Sequence, residues 1–290
     1  MRRLDSLIFL LIVFQLLTIP RCNSGNGDKN SAICDSIKGR VCNGYHETDY
    51  GVKDGYKKMS GNELNEYYSD CDIINGNIKI YMYWHESQDY FATLDLFKNI
   101  RAIKGNFSVS GFDIGNDEEP RPNKDYLKSL KGLSNLECIS GELELDNHLA
   151  LISLSGLEKL KTFGRLNIWD NAVLSDISAL SNVTEAGYKT YKPEDEGGYS
   201  IAFDNNNLTN LRGLENLKVS NLGVVFIKEL IEDFSALKNI EKIHGHLAIN
   251  TACSLVKSDF QELVDTIGRS NIEGLVNISN DCGDELFLPK

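Results

Sequence analysis

The chain has 290 residues, of which 41% are hydrophobic and 25% charged, and its formal net charge is −12. Enough apolar residues are present to build one sizeable core. So acidic a chain carries no electrostatic footprint for nucleic acid or for an anionic membrane surface; a basic partner would be favoured, but plain solubility is the preferred reading of the charge.

At the N-terminus Arg2 and Arg3 precede an apolar run from Leu7 to Ile19, too short to span a membrane comfortably. Residues 1–24 read as a secretory signal peptide closing at Ser24, with an uncleaved anchor as the alternative. Loss of that segment, which holds three arginines and one aspartate, changes the charge to −14. No later stretch is apolar enough to cross a bilayer, so the mature chain is expected to be soluble, extracellular and not inserted in a membrane.

Export implies an oxidising compartment, and six cysteines remain once Cys22 is removed: Cys34, Cys42, Cys71, Cys138, Cys253 and Cys282. An even count points to disulfides, and the spacing leaves fifteen pairings open. The preferred arrangement joins Cys253 to Cys282 and keeps Cys34, Cys42 and Cys71 in the N-terminal region. Cys138 is then bonded to one of these or buried and free. No CxxC pair supports a metal site. Four sequons, at Asn106, Asn182, Asn207 and Asn277, agree with export and N-glycosylation.

Residues 25–70 form an N-terminal cysteine-containing segment. Its first part, 25–58, shows no period and is expected to be a loop held by Cys34 and Cys42. Ser60 and Glu63 followed by Leu64, Tyr67 and Tyr68 predict a short capping helix.

From residue 71 onward a phrase returns: a glycine, then apolar residues two and four positions later with polar ones between. It appears as Gly76-Asn77-Ile78-Lys79-Ile80, Gly105-Asn106-Phe107-Ser108-Val109, Gly141-Glu142-Leu143-Glu144-Leu145, Gly164-Arg165-Leu166-Asn167-Ile168, Gly245-His246-Leu247-Ala248-Ile249 and Gly274-Leu275-Val276-Asn277-Ile278. Looser copies are Tyr199-Ser200-Ile201-Ala202-Phe203 and Gly223-Val224-Val225-Phe226-Ile227. Period-2 alternation is the mark of a strand with one buried face. Upstream of the strands stands a leucine phrase, as in Leu154-Ser155-Gly156-Leu157-Glu158-Lys159-Leu160 and Leu211-Arg212-Gly213-Leu214-Glu215-Asn216-Leu217. Successive glycines lie 23 residues apart from Gly141 to Gly164, 22 from Gly223 to Gly245 and 29 from Gly245 to Gly274, spacings that predict stacked turns of a solenoid. The fold class is therefore mainly β, a right-handed β-solenoid with short capping helices. Asp146-Asn147, Asp170-Asn171 and Asp204-Asn205-Asn206-Asn207 follow strands and read as turn-formers. Near the C-terminus Ser258 and Gln261 match a capping box, and Phe260, Leu263, Val264 and Ile267 fall at helical spacing before Gly268, predicting a lid over the last turn.

These residues resemble the receptor L domain, the leucine-rich β-helical module of insulin-receptor and epidermal-growth-factor-receptor ectodomains. The likeness rests on Cys71-Asp72-Ile73-Ile74-Asn75-Gly76-Asn77-Ile78-Lys79-Ile80 and on the leucine-plus-strand repeats through Ile278, and it covers residues 71–282, leaving 283–290 as a tail. No furin-like cysteine-rich region, transmembrane helix or kinase domain accompanies it. The resemblance thus implies capture of a secreted peptide, a growth factor or a cell-surface protein, without catalysis and with no cofactor. A structural matrix or cell-wall glycoprotein and a β-helical polysaccharide-processing enzyme are the alternatives.

Placing odd positions of each phrase outward gives a candidate ligand face of Asp146, then Arg165, Asn167 and Trp169, then Asp204, then Phe226 and Lys228, where aromatics ringed by charge resemble a binding hot spot. Tyr81 and Tyr83 on the first copy form a reserve site, and glycans on Asn106 and Asn277 would shield the two ends. His244 and His246, two apart on one strand, lack a third metal ligand. Glu142, Glu144 and Asp146 have the chemistry of a carboxylate group for general acid–base work, but a solvated acidic strand face explains them more simply, and no Arg or Lys partner repeats beside them.

Overall fold

The structure is a computed structural model that describes residues 32–44, 46–48, 61–81, 92–111, 127–188, 198–251, 257–280 and 285–287. The signal-peptide segment, Tyr83, Cys253 and Cys282 lie outside the described residues, so the expected Cys253–Cys282 bond does too.

Each glycine-opened phrase forms a strand, because alternating aliphatics on an extended backbone put a continuous apolar row on one face. The strands are β1 (Val41–Asn43), β2 (His46–Thr48), β3 (Ile73–Asn75), β4 (Ile78–Tyr81), β5 (Ala102–Lys104), β6 (Phe107–Ser110), β7 (Cys138–Asp146), β8 (Thr162–Trp169), β9 (Glu185–Ala186), β10 (Tyr199–Asp204), β11 (Val219–Ser220), β12 (Gly223–Glu229), β13 (Lys242–Ile243), β14 (Leu247–Thr251), β15 (Val276–Asn280) and β16 (Glu285–Phe287). Thirteen of them form one sheet and β9, β11 and β13 a second, and among the described residues every pair is parallel except β15 with β16.

The long face of the sheet runs through β2, β4, β6, β7, β8, β10, β12, β14 and β15, so neighbours in space are successive copies of the repeat. Register places Ile80, Val109, Leu145, Ile168, Phe203, Phe226, Ile249 and Ile278 side by side in one row. All eight are buried in a single hydrophobic cluster. A second run, β1, β3, β5 and the N-terminal ends of β7 and β8, forms an adjoining face. The leucine phrases close each copy: Leu154, Leu157 and Leu160, like Leu211, Leu214 and Leu217, are fully buried. Gly156 and Gly213 sit there at φ of 115° and 113°, where a Cβ would run into the carbonyls of Leu130 and Ile177 in a neighbouring copy.

Two expectations for the N-terminal segment change. Residues 41–43 and 46–48 are not loop but parallel strands paired with β3 and β4, so the stack begins before Cys71. Their backbone amides and carbonyls are satisfied by the ladder, an advantage that periodicity could not reveal in strands of three residues. Helices α1 (Ala32–Ser36), α2 (Gly61–Tyr68) and α3 (Lys257–Ile267) complete the fold. Leu64 and Tyr68 of α2 and Phe260, Leu263, Val264 and Ile267 of α3 are buried in the main cluster, as their spacing predicted. Ser258, however, lies inside the first turn of α3 rather than ahead of it, and the Gln261 amide donates to Asp265 Oδ1.

Two disulfides staple the described residues. Cys42 bonds Cys71 with Cα atoms 5.9 Å apart, and Cys34 on α1 bonds Cys138 at the start of β7 with Cα atoms 5.4 Å apart. The second bond seats α1 on the adjoining face, where Cys34, Ile37, Ile73, Ala102 and Cys138 form a small buried cluster.

Candidate functional site

The outer side of the long face is built from the ends of the strands inward. At the C-terminal end of each central strand stands a residue in the left-handed region: Asn147, Asp170 and Asn205 just after β7, β8 and β10, and Lys228 as the last but one residue of β12, at φ of 60°, 56°, 56° and 52°. Asn and Asp tolerate this conformation well, and Lys228 adopts it at greater cost. The reversal throws the next side chain inward, and those four side chains form a buried ladder. The His148 N–H donates to Asn171 Oδ1 at 3.0 Å, the Asn171 N–H to Asn206 Oδ1 at 3.1 Å, and the Asn206 N–H to Glu229 Oε1 at 2.9 Å. Asn171 also donates to the Leu145 and Trp169 carbonyls, and Asn206 to those of Ile168 and Asp204. Glu229 ends the series, its second oxygen accepting the Leu208 N–H at 3.2 Å. Burial pushes the Glu229 carboxyl up to about 7, against the pull of the Asn206 and Leu208 hydrogen bonds. The strand ends are thus held rigidly from beneath.

On this support the outward rows can be read from register. One is Ser108, Glu144, Asn167, Ala202, Val225, Ala248 and Asn277, and the next is Ser110, Asp146, Trp169, Asp204 and Ile227. Phe226 is not among them. It is fully buried, pairs with Phe203 and Ile249, and belongs to the core. The cause is a register irregularity between Tyr199 and Ile201, which pairs Gly223 with Tyr199 but Val224 with Ile201. A one-residue slip exchanges the two faces of a strand. Val225 and Ile227 therefore point outward where Phe226 was expected, and Lys228 stands exposed one residue before the end of β12.

The two halves of this outer face differ. Tyr199, Ala202, Val225, Ile227 and Ala248 form a second buried apolar cluster. Over β7 and β8, by contrast, Glu142, Glu144, Arg165, Asn167 and Trp169 remain partly exposed. The expected open stretch across the central strands thus contracts to the β7–β8 half and its border with β10. No family model, curated protein or solved structure matches the chain.

Electrostatics sharpen that border. Asp146 is buried and satisfied, accepting from Ser110 Oγ at 2.8 Å and from Asn147 Nδ2 at 3.1 Å, and burial holds its carboxyl above the usual range. Ser108 Oγ donates to Glu144 at 2.8 Å. Arg165 pairs in register with Glu142, and its guanidinium lies 5.7 Å from the Tyr188 ring centroid and 5.8 Å from that of Tyr199. Asp204 is pushed up to about 6, mainly by burial, with Lys228 pulling it down. Three buried polar atoms here have no hydrogen-bond partner among the described residues: Arg165 Nε, Trp169 Nε1 and Asp204 Oδ1. These three atoms are enclosed, while the Arg165, Trp169 and Asp204 residues that carry them keep part of their surface exposed.

The other singled-out residues are placed elsewhere. Tyr81 ends β4, and its side chain lies outside the described residues. His244 faces Glu273 at 3.0 Å, while His246 Nδ1 accepts the Leu275 N–H at 2.7 Å, so the two rings serve separate partners. No group of three His, Cys, Asp or Glu side chains with metal-binding geometry occurs among the described residues. Of the sequon asparagines, Asn182 is exposed and Asn106, Asn207 and Asn277 are partly so. Sequence reasoning missed the buried ladder and Tyr199. The ladder had a signal, since His148, Asn171, Asn206 and Glu229 each stand three residues after the inward residues Leu145, Ile168, Phe203 and Phe226.

Proposed function

We propose that the chain is a secreted, N-glycosylated protein of the receptor L-domain type, a right-handed β-solenoid that captures a secreted peptide, growth factor or cell-surface protein through its outer β7–β8 face and performs no catalysis. The observation that carries this reading is the partly exposed group of Glu142, Arg165, Asn167 and Trp169, mounted on strands whose undersides are locked in the core. Rigid presentation lowers the entropic cost of association, and Trp and Arg are the residue types that concentrate binding energy. Two disulfides and no described helix long and apolar enough to cross a membrane are compatible with export.

The test is capture of partners from conditioned medium on the immobilised chain beginning at residue 25, followed by titration of any recovered protein. Trp169→Ala and Arg165→Ala should each weaken that partner at least tenfold while the fold, followed by circular dichroism, persists. A partner held equally well by both variants overturns the site, and recovery of nothing beyond a control column overturns the reading of capture.

A further inference from the structure

The fold treats the four sequon asparagines in two ways. Asn106 and Asn182 use their carboxamides to tie neighbouring turns together: Asn106 Oδ1 accepts the Glu142 N–H at 2.9 Å, and the Asn182 side-chain amide donates to the Glu158 carbonyl. The carboxamides of Asn207 and Asn277 make no hydrogen bond among the described residues.

The same division appears in what surrounds them. Asn210 bridges Asp233 in parallel register, so counting back three residues along both turns places Leu230 beside Asn207. The Asn207 N–H donates to the Leu174 carbonyl at 3.0 Å, which brings Val173 alongside from the preceding turn. Leu230 is 47% exposed and Val173 37%. On β15, Val276, Ile278 and Asn280 face inward, so Leu275 and Asn277 share the outward side, and Leu275 is 53% exposed. Three of the seven large apolar side chains exposed among the described residues therefore stand next to the two uncommitted sequon asparagines. The residues hydrogen-bonded to Asn106 and Asn182 are Asn77, Glu142 and Glu158, all polar.

A single exposed aliphatic needs no explanation, but aliphatics gathered around a modifiable nitrogen have a cover at hand. A pyranose ring presents C–H faces as well as hydroxyls, so a sugar attached at the asparagine can lie on a neighbouring aliphatic and keep its polar groups in water.

We propose that Asn207 and Asn277 are the glycosylated sequons, and that the first sugars of each glycan cover the adjacent aliphatics, Val173 and Leu230 in one case and Leu275 in the other. The inference rests on the reading of the chain as an exported glycoprotein, and it assigns the modified positions and what the sugar does there. Attachment is a group transfer from a lipid-pyrophosphate-linked oligosaccharide. The carboxamide nitrogen bonds to the anomeric carbon, the lipid pyrophosphate leaves with the electron pair of the broken C–O bond, and one amide proton passes to a base.

The test expresses the full chain, with residues 1–24 in place, in a eukaryotic secretory cell line and recovers it from the medium. Enzymatic deglycosylation in heavy-oxygen water marks each formerly occupied asparagine as labelled aspartate. Peptide mass spectrometry should then find Asn207 and Asn277 modified in most molecules and Asn106 and Asn182 in few. The deglycosylated protein should bind an apolar-surface dye severalfold more than the glycosylated one, with the same circular dichroism. Val173→Thr, Leu230→Ser and Leu275→Ser together should remove that gain; all three positions are exposed, so the fold tolerates the change. Sugar on Asn106 or Asn182 with Asn207 and Asn277 bare overturns the inference and leaves export and glycosylation standing. A chain that never reaches the medium, or that carries no sugar at any of the four, overturns the glycoprotein reading with it. Dye binding unchanged by deglycosylation, or raised equally in the substituted chain, overturns the covering role.

Discussion

The Phe226 ring stacks on that of Phe203, with centroids 5.9 Å apart and planes 9° from parallel, in adjacent strands of the interior row. Both rings are fully buried. Phe226→Ala removes a ring from a close-packed site and leaves a cavity, which costs about 3–5 kcal/mol. A large fall in the urea midpoint with an unchanged slope is the expected result. A variant within about 1 kcal/mol of the parent would place Phe226 outside the core.

The inner half of the fold was legible because its rule is local: a residue two or four after a glycine is inward, as Leu143 and Leu145 are. The same rule failed at Phe226 because Gly223 is not the equivalent of Gly141. It sits one residue closer to its first inward side chain, Val224, and that offset is fixed by pairing with β10, not by anything within the strand. The outer site was legible in part. Trp169, Arg165 and Asn167 follow from alternation, but the shielding of Val225 and Ala248 depends on contacts distant in sequence. Asn171 and Asn206 looked like turn residues; the turning is done by Asp170 and Asn205, and their successors face inward.

That ladder makes Asn171 a sensitive position. Its amide donates to the Leu145 and Trp169 carbonyls and to Asn206 Oδ1, and its own Oδ1 accepts the His148 N–H. Asn171→Ala strands several buried groups at once, each worth about 1–3 kcal/mol when unsatisfied. Asn216 also donates to a neighbouring carbonyl, that of Ser181 at 2.8 Å, but at an exposed position where water can take over. Asn216→Ala should therefore cost under about 1 kcal/mol. Equal losses in the two variants, measured by urea denaturation, would contradict the ladder's importance.

The disulfide map is a separate matter of record in solution. Peptide mapping under non-reducing conditions should recover Cys34 joined to Cys138 and Cys42 joined to Cys71. The first bond spans 104 residues and the second 29. On loop-closure grounds the longer one stabilises by about 5 kcal/mol and the shorter by about 1 kcal/mol less. Replacing Cys34 and Cys138 together with serine should lower the melting temperature more than replacing Cys42 and Cys71. Recovery of Cys34 linked to Cys42 would overturn the pairing.

Glu229 gives the fold a pH dependence of defined sign. Its carboxyl is raised from the ordinary carboxylate range to about 7, chiefly by burial, so the folded chain holds this proton more tightly than the unfolded one. The stabilisation from that proton is complete below the unfolded value near 4.5 and is lost as pH rises through 7. The shift corresponds to about 3 kcal/mol over the whole window. Asp204, raised to about 6 by burial, acts in the same direction and finishes earlier. Thermal melts of the parent should consequently decline between pH 5 and pH 8, with the part above pH 6.5 due mainly to Glu229. Glu229→Gln cannot ionise and should flatten that upper part while keeping the lower slope set by Asp204. If the substituted chain lost stability above pH 6.5 as steeply as the parent, the buried carboxylate at the end of the ladder would not be the group responsible.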